Sequence, residues 1–289
     1  MTEATNHVNV SSAEMTAYWR SLYPALSSDP YSKNLVTPAG VQQCKHAEIK
    51  QDYPLIGRKI SARAGFMYDR SVRALQTGRY DGLISFASGF SLLSYCVAEA
   101  MKQHQSYQYV DVDLPDMILE RQEGLSSDVF ADLDQKILHS IEQVGFDIEA
   151  LYRNDRPLKD LFPNIKAPVF VLEGLMYFLS KPCVKWLVQQ MASYAHTAVV
   201  LDYWPLHALE VSTCFKNGFE YWGRDNIREQ IDNALWSEVD VSGYFKPFAK
   251  IEDINIQDFE NQHSVQLGEQ PQLVDINTFY PVHLVYAEK

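Results

Sequence analysis

"GLISFASGFSLLSYCVAEAM" occupies residues 82–101, and its reading decides the fold. Gly82–Phe86 is a short apolar run with the composition of a buried strand. Three small residues follow, Ala87, Ser88 and Gly89, and then Leu92, Leu93, Cys96, Val97, Ala100 and Met101 fall on one broad helical face. A strand that turns through small residues into an amphipathic helix opens a βαβ unit. Such a bare turn is either a tight connection or a place where backbone comes close to a ligand.

Upstream, Ile60, Ala64, Met67, Val72 and Leu75 recur at helical spacing between Gly57 and Gly78, which stops the helix. A first helix is expected over 13–27, before Pro30 and Pro38 interrupt regular structure. Downstream, "YQYVDVDLP" (107–115) reads as a second strand closed by Pro115. Phe130, Leu133, Ile137, Ile141 and Val144 predict a helix ending at Gly145, and "IEALY" (148–152) a weak third strand. "APVFVLEG" (167–174) is a continuous apolar run, the signature of a strand covered on both faces.

Ser180 suits an N-cap, with Pro182 in the first turn of a helix carrying Val184, Leu187, Val188 and Met191. "TAVVLDY" (197–203) is a fifth strand and "YPVHLVYAEK" (280–289) a last one. Alternating strands and helices predict an α/β fold, a Rossmann-like and mostly parallel sheet with helices on both faces. Residues 1–12 are expected to be mobile and 13–289 to form a single domain. The aromatic-rich stretch 204–250 breaks the rhythm and is expected to cover the sheet as a substrate-facing insertion.

Composition narrows the functional classes. The 289 residues are 46% hydrophobic and 21% charged, an ordinary globular balance, with a net charge of −12. No dense Lys/Arg run exists to face a phosphate backbone, so a nucleic-acid partner is disfavoured. Cys44, Cys96, Cys183 and Cys214 are scattered without a C-x-x-C pair, which argues against a zinc site or a disulfide framework. The polar N-terminal residues lack a signal pattern, and no apolar run approaches the roughly 20 residues of a membrane span. A soluble, cytoplasmic protein is expected. Nothing in the sequence sets an oligomeric state.

In an open parallel sheet, ligands bind at the carboxyl ends of the strands. Acidic and small residues gather at those ends here: Ala87, Ser88 and Gly89; Asp111 and Asp113; Asn154 and Asp155; Glu173 and Gly174. A carboxylate ending the second strand suits the two hydroxyls of a ribose. The dinucleotide pattern G-x-G-x-x-G aligns as Ala87, Gly89 and Leu92, with one glycine of three, and no G-K-[ST] phosphate loop is present. S-adenosyl-L-methionine, a ribose ligand without phosphate, needs neither device.

"SSDPYSKNLV", "ISARAGFMYDRSVRALQTGRYDGLISFASGF", "YVDVDLPDMILERQ" and "VFVLEGLMYFLS" occur in this order. Together they resemble the leucine carboxyl methyltransferase family, including bacterial members that act on small natural products, over roughly residues 13–203. The resemblance implies a seven-stranded class I methyltransferase sheet and S-adenosylmethionine as cofactor. It places Arg63 on the cofactor's carboxylate, Gly89 beneath the cofactor and Asp113 on the ribose, with Asp111 and Leu114 beside it. Asn154 or Asp155 then lies near the adenine, and Glu173 and Gly174 on the methionine side. The family usually continues G-x-G with Leu-Asp-Thr-Arg; here Ser91 and Leu93 replace the acidic and basic members. Ala87 fits the turn if its φ is negative.

Methyl transfer from a sulfonium is an in-line displacement that depends on alignment. A carboxylate acceptor, ionised above a pKa of about 4, needs no general base, whereas a hydroxyl usually needs one. No catalytic residue is required for the first case; His207 and Tyr203 are the candidates for the second. A carboxylate on a small molecule or peptide C-terminus is therefore the expected acceptor, with a hydroxyl as alternative and a non-catalytic, methyltransferase-like binding module as a third reading. Tyr18, Trp19, Tyr177, Trp204 and Trp222 are the candidate acceptor-lining residues, weighed against ordinary packing.

Overall fold

The computed structural model describes residues 12–49, 56–103, 107–212, 216, 234–268 and 281–289. Its centre is a sheet of β1 (Gly82–Phe86), β2 (Gln108–Asp113), β3 (Ile141–Gly145), β4 (Pro168–Leu172), β5 (Ala198–Pro205), β6 (Leu235–Trp236), β7 (Lys250–Asn255) and β8 (His283–Glu288). The order is β3-β2-β1-β4-β5-β8-β7, and β6 adds a short parallel pair to the end of β5. Strands β1 to β5 are parallel, whereas β8 runs antiparallel between β5 and β7. The expected seven-stranded sheet is thus present, with β6 as a two-residue addition.

Period-two alternation explains why both faces are covered. On β1 and β4, Leu83, Val169 and Val171 face one apolar layer, while Ile84, Phe86, Phe170 and Leu172 face the other. The first layer is closed by α4 (Ile56–Gln76), α5 (Leu93–Met101) and the helix Ile256–Gln266, through Phe66, Val97 and Phe259. The second is closed mainly by the helix Lys181–Ala192, through Val184, Leu187 and Val188. Ser180 caps that helix as expected, accepting from the Cys183 amide at 3.3 Å.

Two sequence expectations are corrected. The stretch 130–145 is not one helix: a short helix ends at Ser140, and Ile141–Gly145 is β3, paired with β2 from Tyr109 to Asp113. "IEALY" is not a strand but the body of the helix Ile148–Arg153, which Asp147 caps by accepting from the Glu149 amide at 2.9 Å. The expected first helix is also broken, into α1 (Ser12–Arg20) and α2 (Pro24–Ser27), with Pro24 at the start of the second turn of chain. Both pack on α4, and Gly65 permits the closest approach: a Cβ there would stand 2.0 Å from the Leu26 carbonyl oxygen.

Strand order reverses between β1 and β4, parallel neighbours that start the two halves of the sheet. The carboxyl ends of strands beside such a reversal leave a crevice. No helix among the described residues is long and apolar enough to cross a membrane, and no cluster of three metal-ligating side chains occurs among them. Cys44, Cys96 and Cys183 are buried and form no disulfide among the described residues.

Candidate active site

A cleft of about 500 Å³ opens at that reversal, within the usual range for a small-molecule site. Its floor is the turn after β1. Ala87, Ser88 and Gly89 all line it, and Ser88 donates its amide to the Val112 carbonyl at 3.1 Å. Gly89 has φ +48 and Ala87 φ +50. The condition set for Ala87, a negative φ, is therefore not met: alanine holds a left-handed conformation that costs it about 1–2 kcal/mol. The Ser88 Oγ is buried in the cleft wall and has no partner among the described residues. A buried hydroxyl of this kind is ordinarily satisfied.

Asp113 ends β2 and lines the cleft. Its Oδ2 accepts from the Gly89 amide at 2.6 Å and its Oδ1 from the Leu114 amide at 2.7 Å. Burial pushes its carboxyl above the ordinary aspartate range, opposed by these two amides. Leu114 is exposed at the rim. Asp111, two residues earlier on the same face of the strand, does not reach the cleft. It is buried against Arg121 (Nη2 to Oδ2, 2.6 Å) and accepts from the Ser94 hydroxyl at 2.5 Å. It is a buttress, and the expectation of a ligand contact from Asp111 is withdrawn.

The loop after β3 supplies Phe146, Asp147, Ile148 and Glu149 to the cleft. Asn154 and Asp155 lie one helix further on and do not line it. Asn154 folds its amide back to the Ala150 carbonyl at 2.8 Å, and Asp155 accepts from the Trp186 indole at 3.3 Å. Both misplacements follow from reading the third strand one element too late.

The opposite wall is a chain of charges. Glu173 accepts from Arg63 (Nε to Oε1, 3.3 Å) and from Arg20 (Nη1 to Oε2, 3.1 Å). Arg63 also donates to the Tyr177 hydroxyl at 3.1 Å and to Asp202 at 3.4 Å. Arg20 pairs with Asp29 at 2.8 Å. Asp202, on β5 one residue beyond the last pair with β4, is fully buried; it accepts from the Gly174 amide at 2.7 Å and from the Tyr177 hydroxyl. Burial raises its carboxyl above the usual range, against the pull of Arg63. Gly174, with φ +67, brings its amide to Asp202 while leaving the Arg63 guanidinium 3.5 Å from where a Cβ would stand.

Trp19, Tyr177 and Trp204 line the outer part of the cleft, and the last two stack at 3.9 Å with their planes 10° apart. Tyr18 is buried behind Trp19, Ile56 and Ile60, which line the cleft, and does not line it itself; Trp222 lies outside the described residues. Neither proposed base reaches the cleft. Tyr203 is buried in the core with its hydroxyl on Asp253 at 2.9 Å, and burial pushes its phenol far up. His207 sits at the start of the helix Ala208–Val211, beside a second hollow walled by Leu206, Glu210 and Trp236.

Three residues that organise the site were not singled out from sequence: Asp29, Asp202 and Arg121. Asp202 carried a usable signal, since it is another acid near the carboxyl end of the expected strand 197–203. Asp29 and Arg121 carried none beyond lying inside the quoted motifs.

The model of the leucine carboxyl methyltransferase family matches residues 9–192. Among solved structures, a protein of Thermobifida fusca YX assigned as a methyltransferase is similar with a TM-score of 0.60 at 14% identity, covering 97% of this chain and 95% of that one. A DUF574 family protein from Streptomyces avermitilis is similar with a TM-score of 0.61 at 12% identity, covering 97% of each chain. At such identities the likeness is one of fold. A comparison with curated proteins finds no match.

Proposed function

The chain belongs to the leucine carboxyl methyltransferase family and is an S-adenosylmethionine-dependent methyltransferase; from that premise we propose that its cleft methylates a carboxylate of a small molecule or peptide C-terminus. The residues present suit the cofactor. Ser88 offers a buried hydroxyl in want of a partner, and Asp113 offers a carboxylate at the end of β2. In this reading Asp113 holds the ribose hydroxyls, with Leu114, Phe146 and Ile148 around the base. Arg63, Glu173 and Gly174 hold the amino-acid end, where a guanidinium and a carboxylate match a zwitterion. When bound, the cofactor supplies an electrophilic methyl group on a positively charged sulfur.

The observation that carries the carboxylate reading is the state of the acids in the cleft. Asp113 is held by two amides, Asp147 and Glu149 accept from the amides of Glu149 and Ser180, and Glu173 lies between two arginines. Each is already held in place by these partners, and no histidine is among the described residues lining the cleft. An acceptor already ionised at neutral pH needs no base. Arg20 and Arg63 stand at this wall already paired with Asp29, Glu173 and Asp202, and Trp19, Tyr177 and Trp204 add apolar lining for the acceptor.

One observation favours a hydroxyl acceptor instead. Tyr177 lines the cleft and donates to Asp202, whose burial makes it a ready proton acceptor, so a proton from an acceptor hydroxyl has a route through the phenol. Labelled S-adenosylmethionine and an extract of the producing cells separate the two. Product label released as methanol by mild alkali marks an ester; label that survives marks an ether and overturns the carboxylate reading.

A further inference from the structure

The turn after β1, Ala87 to Leu93, carries no charged side chain of its own. The molecule fastens that turn from another element. Arg121 projects from α6 (Pro115–Leu125) and is 1% exposed. Its Nη1 donates to two carbonyls of the turn, Gly89 at 2.8 Å and Ser91 at 2.5 Å. Its Nη2 is anchored on Asp111 at 2.6 Å, and Asp111 in turn accepts from Ser94 in the first turn of α5.

We propose that Arg121 is a positioning residue for cofactor binding, setting the height of the Gly89 backbone against the Asp113 carboxylate without touching the cofactor. The geometry explains why two groups are needed. Asp113 holds the turn by the Gly89 amide, and Arg121 holds the same residue by its carbonyl, so the peptide planes on both sides of Gly89 are pinned. A glycine in the left-handed region has many other conformations open to it, and a fork that spans two carbonyls removes them. Burial is the reason the guanidinium needs Asp111: an unpaired cation there is costly, whereas the single charge-assisted bond from Nη2 to Asp111 holds it in place.

Arg121→Lys keeps the charge but has a single nitrogen in place of the two that separately hold the turn carbonyls and Asp111. It is expected to weaken S-adenosylhomocysteine binding about tenfold by calorimetry, a loss of about 1.4 kcal/mol, and to speed amide exchange in residues 87–93. A purely structural role lowers the melting temperature but leaves the affinity of the folded protein alone. If the lysine variant does not fold, the neutral pair Asp111→Asn with Arg121→Gln leaves no uncompensated buried charge and takes its place in the same measurement. Affinity within twofold of wild type, in whichever variant folds, overturns the proposal. The inference rests on the cleft being the cofactor site, which the wild-type isotherm tests separately: no binding to wild type takes both readings down, whereas binding to wild type and variant alike removes only Arg121.

Discussion

Gly65→Ala is a single methyl group whose effect follows from one contact. Alanine is the better helix former by about 1 kcal/mol, so in an open position of α4 it would stabilise. Here the new Cβ stands 2.0 Å from the Leu26 carbonyl oxygen and 3.1 Å from its carbon, both backbone atoms of α2. Carbon–oxygen contacts normally lie at about 3.3 Å or more, so α2 must retreat by more than about 1 Å. Overpacking of that kind costs about 1–3 kcal/mol and sometimes more. The retreat also pulls on Ser27 and Asp29, which hold Arg20 beside Glu173. The net expectation is a loss of about 2 kcal/mol, a fall of about 3 °C in melting temperature given an unfolding entropy near 2.1 cal/mol/K per residue. Gly243→Ala is the control: nothing lies within 4 Å of its Cβ in the helix Glu238–Tyr244, and the same exchange is expected to raise stability by up to about 1 kcal/mol. Thermal unfolding followed by circular dichroism reads both. An unchanged or raised melting temperature for Gly65→Ala would refute the packing of α2 on α4.

Asp113→Ala is expected to weaken S-adenosylhomocysteine by about 1.5–3 kcal/mol, the worth of hydrogen bonds to a charged group; calorimetry showing less than a threefold change removes Asp113 from the ribose. It is a cleaner test than Arg63→Ala, which also leaves the buried Asp202 without its cation. Cofactor affinity should fall as pH drops towards the carboxylate range, earlier than an ordinary aspartate would dictate, because burial raises the Asp113 carboxyl and only its ionised form accepts from ribose. The sign for stability is opposite. Asp111, Asp113 and Asp202 all bind protons more readily folded than unfolded, so their contribution is largest below the ordinary aspartate value and is lost as pH rises through the raised ones. A cofactor titration and a melting series over the same buffers check both slopes. Tyr177→Phe separates the acceptors: label transfer changing by less than about threefold fits a carboxylate, whereas a fall of about 100-fold or more is what a lost proton route would give.

The readable parts of this sequence were those where packing and pattern agree. β1, β2, β4 and β5 are apolar runs buried on both faces, and each lies where its composition placed it. β3 did not read as a strand because it is an edge with one buried residue, Ile141, and because Ile137, Ile141 and Val144 also fit helical spacing. Missing that edge put the expected acids, Asn154 and Asp155, one helix beyond the residues after β3 that line the cleft, Phe146 to Glu149. Asp113, Glu173 and Gly174 were legible since a strand end fixes where they point. Asp111 shows the limit of that rule: alternation puts it on the same side as Asp113, but one turn of α6 brings Arg121 across and closes it off. Such long-range ion pairs, like Arg20 with Asp29 and Glu173, have no local spacing to betray them.

The structure of this protein crystallised with S-adenosylhomocysteine tests the central claim most directly. The ribose hydroxyls are predicted on Asp113, the adenine beside Phe146 and Ile148, and the amino-acid end between Arg63 and Glu173, with the thioether sulfur facing Tyr177 and Trp204. A ligand bound outside this cleft, or inside it with its ribose away from Asp113, would contradict it.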